Sequence, residues 1–249
     1  MLARKRELTK EDLADLKKGT SWQNIYDLLW HIATVRYVTY LQLKAAFPQA
    51  TWRIKCATPK KLNKLTDKGL LFKSKAGVFT ATFQTVKFLE RYSDYKTGLI
   101  KPAQGQGERD GLHNADFLLK AIKLPNFEAL FYPDFYEHPR DKQPFLVPDG
   151  ALVFKKDGKA KLVFLEIEQP KSDWEGYLKD KQWKYVLVAG REETWSVWWR
   201  QSCNLLGFNQ CAVDEFSFEV WCIGAFQADW PGWRFLKNIS QDFLKDANE

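Results

Sequence analysis

Residues 145–185, FLVPDGALVFKKDGKAKLVFLEIEQPKSDWEGYLKDKQWKY, hold the residue types and spacings most suited to chemistry. Two apolar runs, Phe145–Phe154 and Lys161–Ile167, flank a polar tip. The Asp157-Gly158 pair within that tip is a strong turn signal, so the runs read as a β-hairpin. Asp149 follows Pro148 on the first strand, and Glu166 and Glu168 end the second. Alternate residues of a strand share a face, so Glu166 and Glu168 point the same way. Carboxylates gathered at close range repel one another. A divalent cation relieves that repulsion, and hard Mg²⁺, or Mn²⁺, suits an all-oxygen ligand set. The carboxylates of Asp149, Glu166 and Glu168 are thus the candidate ligands for such an ion.

The elements around this stretch follow from hydrophobic periodicity and capping signals. From residue 112 the order is a helix (HNADFLLKAIKL), a strand (FEALFYPDFYEH), the two strands of the hairpin, and a helix through SDWEGYLKDKQWKYVLVA. A Trp-rich segment, Thr194–Leu206, reads as a further helix, FSFEVWCIGAF as a strand and GWRFLKNISQDFLKD as a terminal helix. The core order α-β-β-β-α-β predicts a layered α/β (α+β) domain with a mixed sheet.

The N-terminal part reads differently. Residues 1–19 predict a short solvated helix, with Thr9 and Asp12 as a capping box and Gly19 as its stop. Thr20 and Gln23 suggest a second box ahead of WQNIYDLLWHIATVRYV, whose Trp22, Ile25, Leu28, Leu29 and Ile32 keep helical spacing. Thr39 and Gln42 cap YLQLKAAF, which Pro48 stops. Thr58-Pro59 opens KKLNKLTDK, a helix burying Leu62 and Leu65 and ending at Gly69. Two short strands around Lys75-Ala76-Gly77 and a closing helix, TFQTVKFLERY, complete the set. Three helices followed by a hairpin is the order of a winged helix-turn-helix, whose third helix enters the major groove. The predicted organisation is therefore a winged-helix domain with its N-terminal helix over residues 1–93, a Gly/Gln/Pro-rich linker over 94–111, and the mixed-sheet domain over 112–249.

Charge agrees with that division. Residues 1–101 hold 20 Lys and Arg against 8 Asp and Glu, or +12; the remainder holds 18 against 23, or −5, for the total of +7. A basic first half predicts a polyanionic partner, with duplex DNA the expected one. Its candidate contacts are Arg53 and Lys55, Lys60, Lys61, Lys64 and Lys68 on the third helix, and Lys73 and Lys75 on the wing. Acidic partners at i+4 are nearly absent there, which argues against a merely solvated helix face.

Other function classes lose ground. The cysteines Cys56, Cys203, Cys211 and Cys222 show neither a CxxC pair nor a histidine at zinc-finger spacing, and read as buried thiols. No apolar run approaches a membrane span and the N-terminus lacks the apolar core of a signal peptide, so a cytoplasmic protein without membrane contact is expected. There is no P-loop, GxGxxG or Ser/His/Asp grouping, which disfavours NTPases, dinucleotide enzymes and triad hydrolases.

An α-β-β-β-α-β core with Pro148-Asp149 followed by Glu166-Ile167-Glu168 resembles the PD-(D/E)XK restriction-endonuclease-like superfamily. The whole chain, over about Thr20 to Phe226, resembles the replication-relaxation family of plasmid and mobile-element proteins. That family joins a winged helix (compare KKLNKLTDKGLLFKSKAGVFTAT) to a part with PDG and a later E-x-[DE] strand. The resemblance implies Mg²⁺-dependent phosphodiester hydrolysis by a DNA endonuclease or nickase. Asp149 and Glu166 would hold an ion that polarises the phosphate and activates water. A K-x-x-x-Y segment of the family matches Lys181 and Tyr185, which share a helix face and could lean over the carboxylates; His113 matches a histidine after the linker.

Glu168 stands where the superfamily usually has lysine, and Lys181 or Lys171 are the candidates to replace it, with Gln182 a further accessory residue. The alternative reading is a nuclease-like fold that binds DNA as a replication or regulatory factor without cutting it. A second copy of the chain, or replication and transposition proteins, are the other partners that the resemblance implies. Among weaker candidates, Asp116 or Glu128 could add a ligand, while Asp134 and His138 read as surface residues. Trp195, Trp198 and Trp199 read as packing against the sheet, with stacking on unpaired bases as the lesser alternative.

Overall fold

The computed structural model describes residues 8–18, 20–46, 58–94, 100, 108–138, 140–156, 159–168, 173–206, 218–224 and 228–237. It has mixed α and β structure with two separate sheets, one of three strands and one of five, an α+β arrangement. The chain divides into two compact units, 1–119 and 120–249.

In the first unit, α1 (Lys10–Lys17) starts at the expected capping box: the Thr9 side chain accepts from the Asp12 amide and the Asp12 side chain from the Thr9 amide. Helix α2 (Trp22–Val35) starts at Trp22 as expected, but its cap lies one residue later than Thr20. Its N-cap is Ser21, whose hydroxyl accepts from the Asn24 amide at 3.2 Å. Gln23 is thereby placed inside the helix, where its amide donates forward to Asp27, and Thr20 accepts from the Asn24 side chain. Strand β1 (Val38–Thr39) leads into α3 (Tyr40–Ala46) through the expected Thr39–Gln42 box.

Helix α4 (Pro59–Asp67) is capped by Thr58 and carries proline in its first turn, where the missing N–H costs nothing. Gly69, at φ +76°, turns the chain out of it; the left-handed region suits a residue without Cβ. Strands β2 (Leu71–Lys73) and β3 (Val78–Ala81) form an antiparallel hairpin, and β1 pairs on the other side of β3. Helix α5 (Phe83–Tyr92) packs back on α2 and β3. The core of this unit is the apolar stripe of α2, with Ile25, Leu29 and Ile32 fully buried, together with Leu62, Leu65, Val78 and Leu89.

Helix α6 (Glu108–Ala121) begins inside the segment expected to be linker. Its first turns belong to the first unit for a visible reason. The Gln42 side chain donates to the Leu112 carbonyl at 2.8 Å, and the Tyr37 ring lies where a Cβ on Gly111 would sit.

The second unit holds the five-stranded sheet, in the order β4-β5-β6-β7-β8. Strand β4 (Phe127–Phe131) is shorter than expected. Pro133 cannot donate to a ladder, and pairing resumes only as an isolated bridge between Phe135 and Leu146. Strands β5 (Gly150–Lys156) and β6 (Lys159–Ile167) are the expected hairpin; Lys156 pairs with Lys159, while the turn residues 157–158 lie outside the described set. Helix α7 (Trp174–Gly190) and helix α8 (Glu192–Leu206) follow, then β7 (Phe218–Ile223), parallel to β6.

The expected terminal helix is not what residues 233–236 form. They are β8 (Trp233–Leu236), parallel to β7. The period-two alternation of Trp233 and Phe235 fits a strand, and β7 offers a free edge: the Val220 and Gly224 amides donate to the Gly232 and Leu236 carbonyls at 2.8 Å. Residues 238–246, the rest of that expectation, lie outside the described residues. No helix among the described residues is long and apolar enough to cross a membrane.

Candidate metal centre

The site is laid down by sheet register. Pairing of Gly150 with Leu165 continues to Asp149, whose amide donates to the Leu165 carbonyl at 2.9 Å. Asp149 therefore stands beside Glu166. One Asp149 carboxylate oxygen also accepts from the Ile167 amide at 2.7 Å, which fixes the side chain at the strand end. On the other flank Glu166 is in register with Cys222, and the Glu168 amide donates to the Ile223 carbonyl at 3.0 Å. Alternation then puts Phe164, Glu166 and Glu168 of β6 on the face shared by Asp149, Cys222 and Phe235.

Helix α7 closes that face. Tyr177, Lys181 and Tyr185 recur every four residues and form one stripe. The Lys181 ammonium contacts carboxylate oxygens of both Glu166 and Glu168, the latter at 2.7 Å. The Tyr185 hydroxyl donates to the other Glu166 oxygen at 2.7 Å. The Tyr185 ring is held by Phe164, Phe218 and Trp233, with centroids 5.4 to 5.6 Å away. The half-exposed ring of Tyr177 lies 5.0 Å from the Lys181 nitrogen. Leu178 and Cys222 are buried together beneath Trp174, Trp230, Trp233 and Phe235, which seats the first turns of α7.

One ligand atom from each of Asp149, Glu166 and Glu168 lies within 4.8 Å of the others. Glu166 has no exposure, Glu168 is buried and Asp149 is half-buried. Burial pushes the Glu166 carboxyl up to about 7; Asp149 adds to this, while Lys181 and Tyr185 oppose it. Burial also acts against the Lys181 ammonium, but Glu166, Asp149 and Glu168 outweigh it and hold its pKa above the ordinary lysine value. Burial and the neighbouring glutamates push the Cys222 thiol up to about 12, so it stays protonated and is no nucleophile.

Three carboxylates and one ammonium leave two negative charges when all are ionised. That is the charge complement of one divalent cation, and the donors are all hard oxygens. The residues present fit Mg²⁺ or Mn²⁺.

The structure thus brings together Asp149, Glu166, Glu168, Lys181 and Tyr185. Gln182, on α7, is half-buried and belongs to a different face from the 177–181–185 stripe. Lys171 lies outside the described residues. His113 and Asp116 are exposed on α6 in the first unit, and the His113 ring packs edge-on to Phe117. Glu128 is half-buried on β4 and is not one of the converging carboxylates; Asp134 and His138 are exposed. Trp195 and Trp199 are buried in α8, while the Trp198 side chain lies outside the described set. Tyr177 was missed by sequence reasoning, although its spacing of four from Lys181 marks the same helix face.

The candidate DNA contacts divide. Lys60 and Lys75 are exposed. The Lys73 nitrogen donates to the Asn63 side chain at 3.1 Å and lies 5.4 Å from the Phe79 centroid. Lys61 reaches the Leu16 carbonyl of α1, while Lys64 and Lys68 reach Asp15 and Asp12 there, so the acidic partners that these two lack on α4 are supplied by tertiary contact. Arg53 and Lys55 lie outside the described residues.

No protein-family model, curated protein or solved structure matches the chain.

Proposed function

We propose that this chain is a DNA-binding protein of plasmid or mobile-element replication, relaxation or transposition, with a divalent-metal-dependent phosphodiesterase centre in its second unit. The observation that carries this reading is the convergence of Asp149, Glu166 and Glu168 within 4.8 Å under a lysine from α7. The strand order around Pro148-Asp149 and Glu166-Ile167-Glu168 supports a PD-(D/E)XK-like domain. The order α2-β1-α3-α4-β2-β3 supports a winged helix in the first unit.

Asp149 and Glu166 would hold the ion, with Glu168 as the third oxygen donor. When bound, the ion polarises the phosphodiester and activates water for its hydrolysis. Asp149 is pre-set by the Ile167 amide and Glu166 by Tyr185, so neither carboxylate has to be ordered on binding. Lys181 replaces in space the lysine that the strand lacks at position 168. Its side chain spans both glutamates, and its charge would be available to a phosphate drawn to the ion.

One observation favours the non-catalytic alternative. Lys181 already compensates Glu166 and Glu168 together, so this unit can fold without an ion. The test is incubation of the protein with supercoiled plasmid in Mg²⁺ or Mn²⁺, beside EDTA and Asp149→Ala. Relaxed or linear product lost in both controls supports hydrolysis. Intact plasmid that is nonetheless retarded on a gel supports the binding factor.

A further inference from the structure

Three of the cations that α4 offers to a polyanion already hold anionic and carbonyl oxygens from α1. The Lys64 nitrogen lies 2.8 Å from an Asp15 carboxylate oxygen and 2.7 Å from the Asp15 carbonyl. The Lys68 nitrogen lies 2.6 Å from Asp12 and 4.0 Å from the second Asp15 oxygen. The Lys61 nitrogen donates to the Leu16 carbonyl at 2.8 Å and the Lys18 carbonyl at 3.3 Å. Positions 61, 64 and 68 follow one face of α4. The carbonyls they meet belong to the C-terminal turn of α1, where helix dipoles concentrate negative potential.

This row of oxygens on a row of lysines has the chemistry of a phosphate backbone on a basic helix. Helix α1 is only eight residues long, below the length at which a helix stands alone in water. It is kept in place by its capping box, by the burial of Leu16 and by these lysines. The lysine ends of the ion pairs are partly open to solvent, with the Lys64 and Lys68 side chains each 27% exposed; Asp15 is 34% exposed, whereas the Asp12 side chain is 7% exposed. Such pairs are individually weak, so an anion that can gather several lysines at once competes with them.

We propose that α1 is an internal competitor for the basic face of α4, and that duplex DNA binds there by displacing it. The inference rests on the reading of the first unit as a DNA-binding element. In the α1-bound state the face exposed by α4 is Lys60, Asn63 and Asp67, which is close to neutral; displacement adds Lys61, Lys64 and Lys68 to it.

The test uses the full chain and a short mixed-sequence duplex. Asp12→Asn with Asp15→Asn removes the competing charges and keeps side chains able to cap α1. Duplex affinity is expected to rise by about tenfold. The slope of log affinity against log salt steepens by up to about 2, because binding then no longer frees two carboxylates that take up cations and offset the counterions released from the duplex. Glu175→Gln with Asp180→Asn makes the same change in net charge on α7 of the second unit, where the partners are Lys179 and Lys184, and should give a clearly smaller gain. In the wild-type chain, saturating duplex should speed hydrogen exchange at the amides of residues 10–17. Equal gains in the two double variants, or α1 amides that exchange no faster on the duplex, would overturn the proposal and make the lysines a staple for α1. Absence of duplex binding by every form would instead remove the DNA-binding reading of the first unit, and the proposal with it.

Discussion

Glu166 sits at zero exposure against one ammonium and one phenol, and its folded-state carboxyl is lifted from 4.5 to about 7. Between those values the folded protein holds a proton that the unfolded chain has released. Metal-free stability therefore falls as pH rises through this window, by up to about 3 kcal/mol. The Lys181 shift is upward too, so its contribution is fully present across the window and is lost only in strong alkali. Thermal melts in EDTA are expected to show a decline in Tm over this range that Glu166→Gln lacks. Mg²⁺ affinity, followed by calorimetry, should fall about tenfold per pH unit below about 7, because binding then expels one proton. Lys181→Ala leaves two buried glutamates facing each other, and a loss of about 3 kcal/mol is expected in EDTA, partly recovered by Mg²⁺. Equal losses with and without the ion would separate Lys181 from the carboxylates. Tyr185→Phe removes the donor to Glu166 and should cost about 1–2 kcal/mol in chemical denaturation while weakening Mg²⁺ binding.

At the scale of elements, α7 decides whether the carboxylates form a site or a set of strand-end charges. Its seat is Leu178, fully buried with Cys222 under an aromatic group from α7, β8 and the segment before β8. Leu178→Ala is expected to cost about 2–4 kcal/mol. It should also reduce Mg²⁺ affinity without touching a ligand, because Lys181 and Tyr185 lose their fixed distance from β6; an unchanged affinity would show that the strands alone make the site. The hairpin β5–β6 was legible because Asp-Gly lay between two apolar runs, and α7 was legible as a helix through SDWEGYLKDKQWKYVLVA. Strand β8 was not legible. GWRFLKNISQDFLKD has helical spacing when read alone, and only the free edge of β7 makes its first residues a strand.

At the scale of the molecule, the centre and the basic helix belong to different units. Their disturbances should therefore separate. Lys60→Glu with Lys75→Glu is expected to weaken duplex binding by roughly tenfold or more and flatten its salt dependence by about 2, in both cases leaving Mg²⁺ affinity unchanged. Asp149→Asn should abolish Mg²⁺ protection in thermal melts and leave duplex affinity intact. A shared loss in either variant would contradict two independent functions. The charge division along the chain, +12 against −5, was visible in composition. Its meaning for α4 was not, because Asp12 and Asp15 lie some fifty residues before the lysines that they neutralise.

The sequence by itself determined the local rules: which segments could be helices, where proline and glycine stopped them, and which carboxylates alternation would place on one strand face. It also carried the i+4 spacing of Tyr177, Lys181 and Tyr185. Only the tertiary structure decided that this stripe faces Glu166 and Glu168, that the Lys181 ammonium spans both, and that α4 meets α1. The physical reason is range. Capping and periodicity act within one or two turns, so residues a few positions apart encode them. Ion pairs, burial and the pKa of Glu166 depend on groups brought together from distant elements, and those distances exist only after the chain has packed.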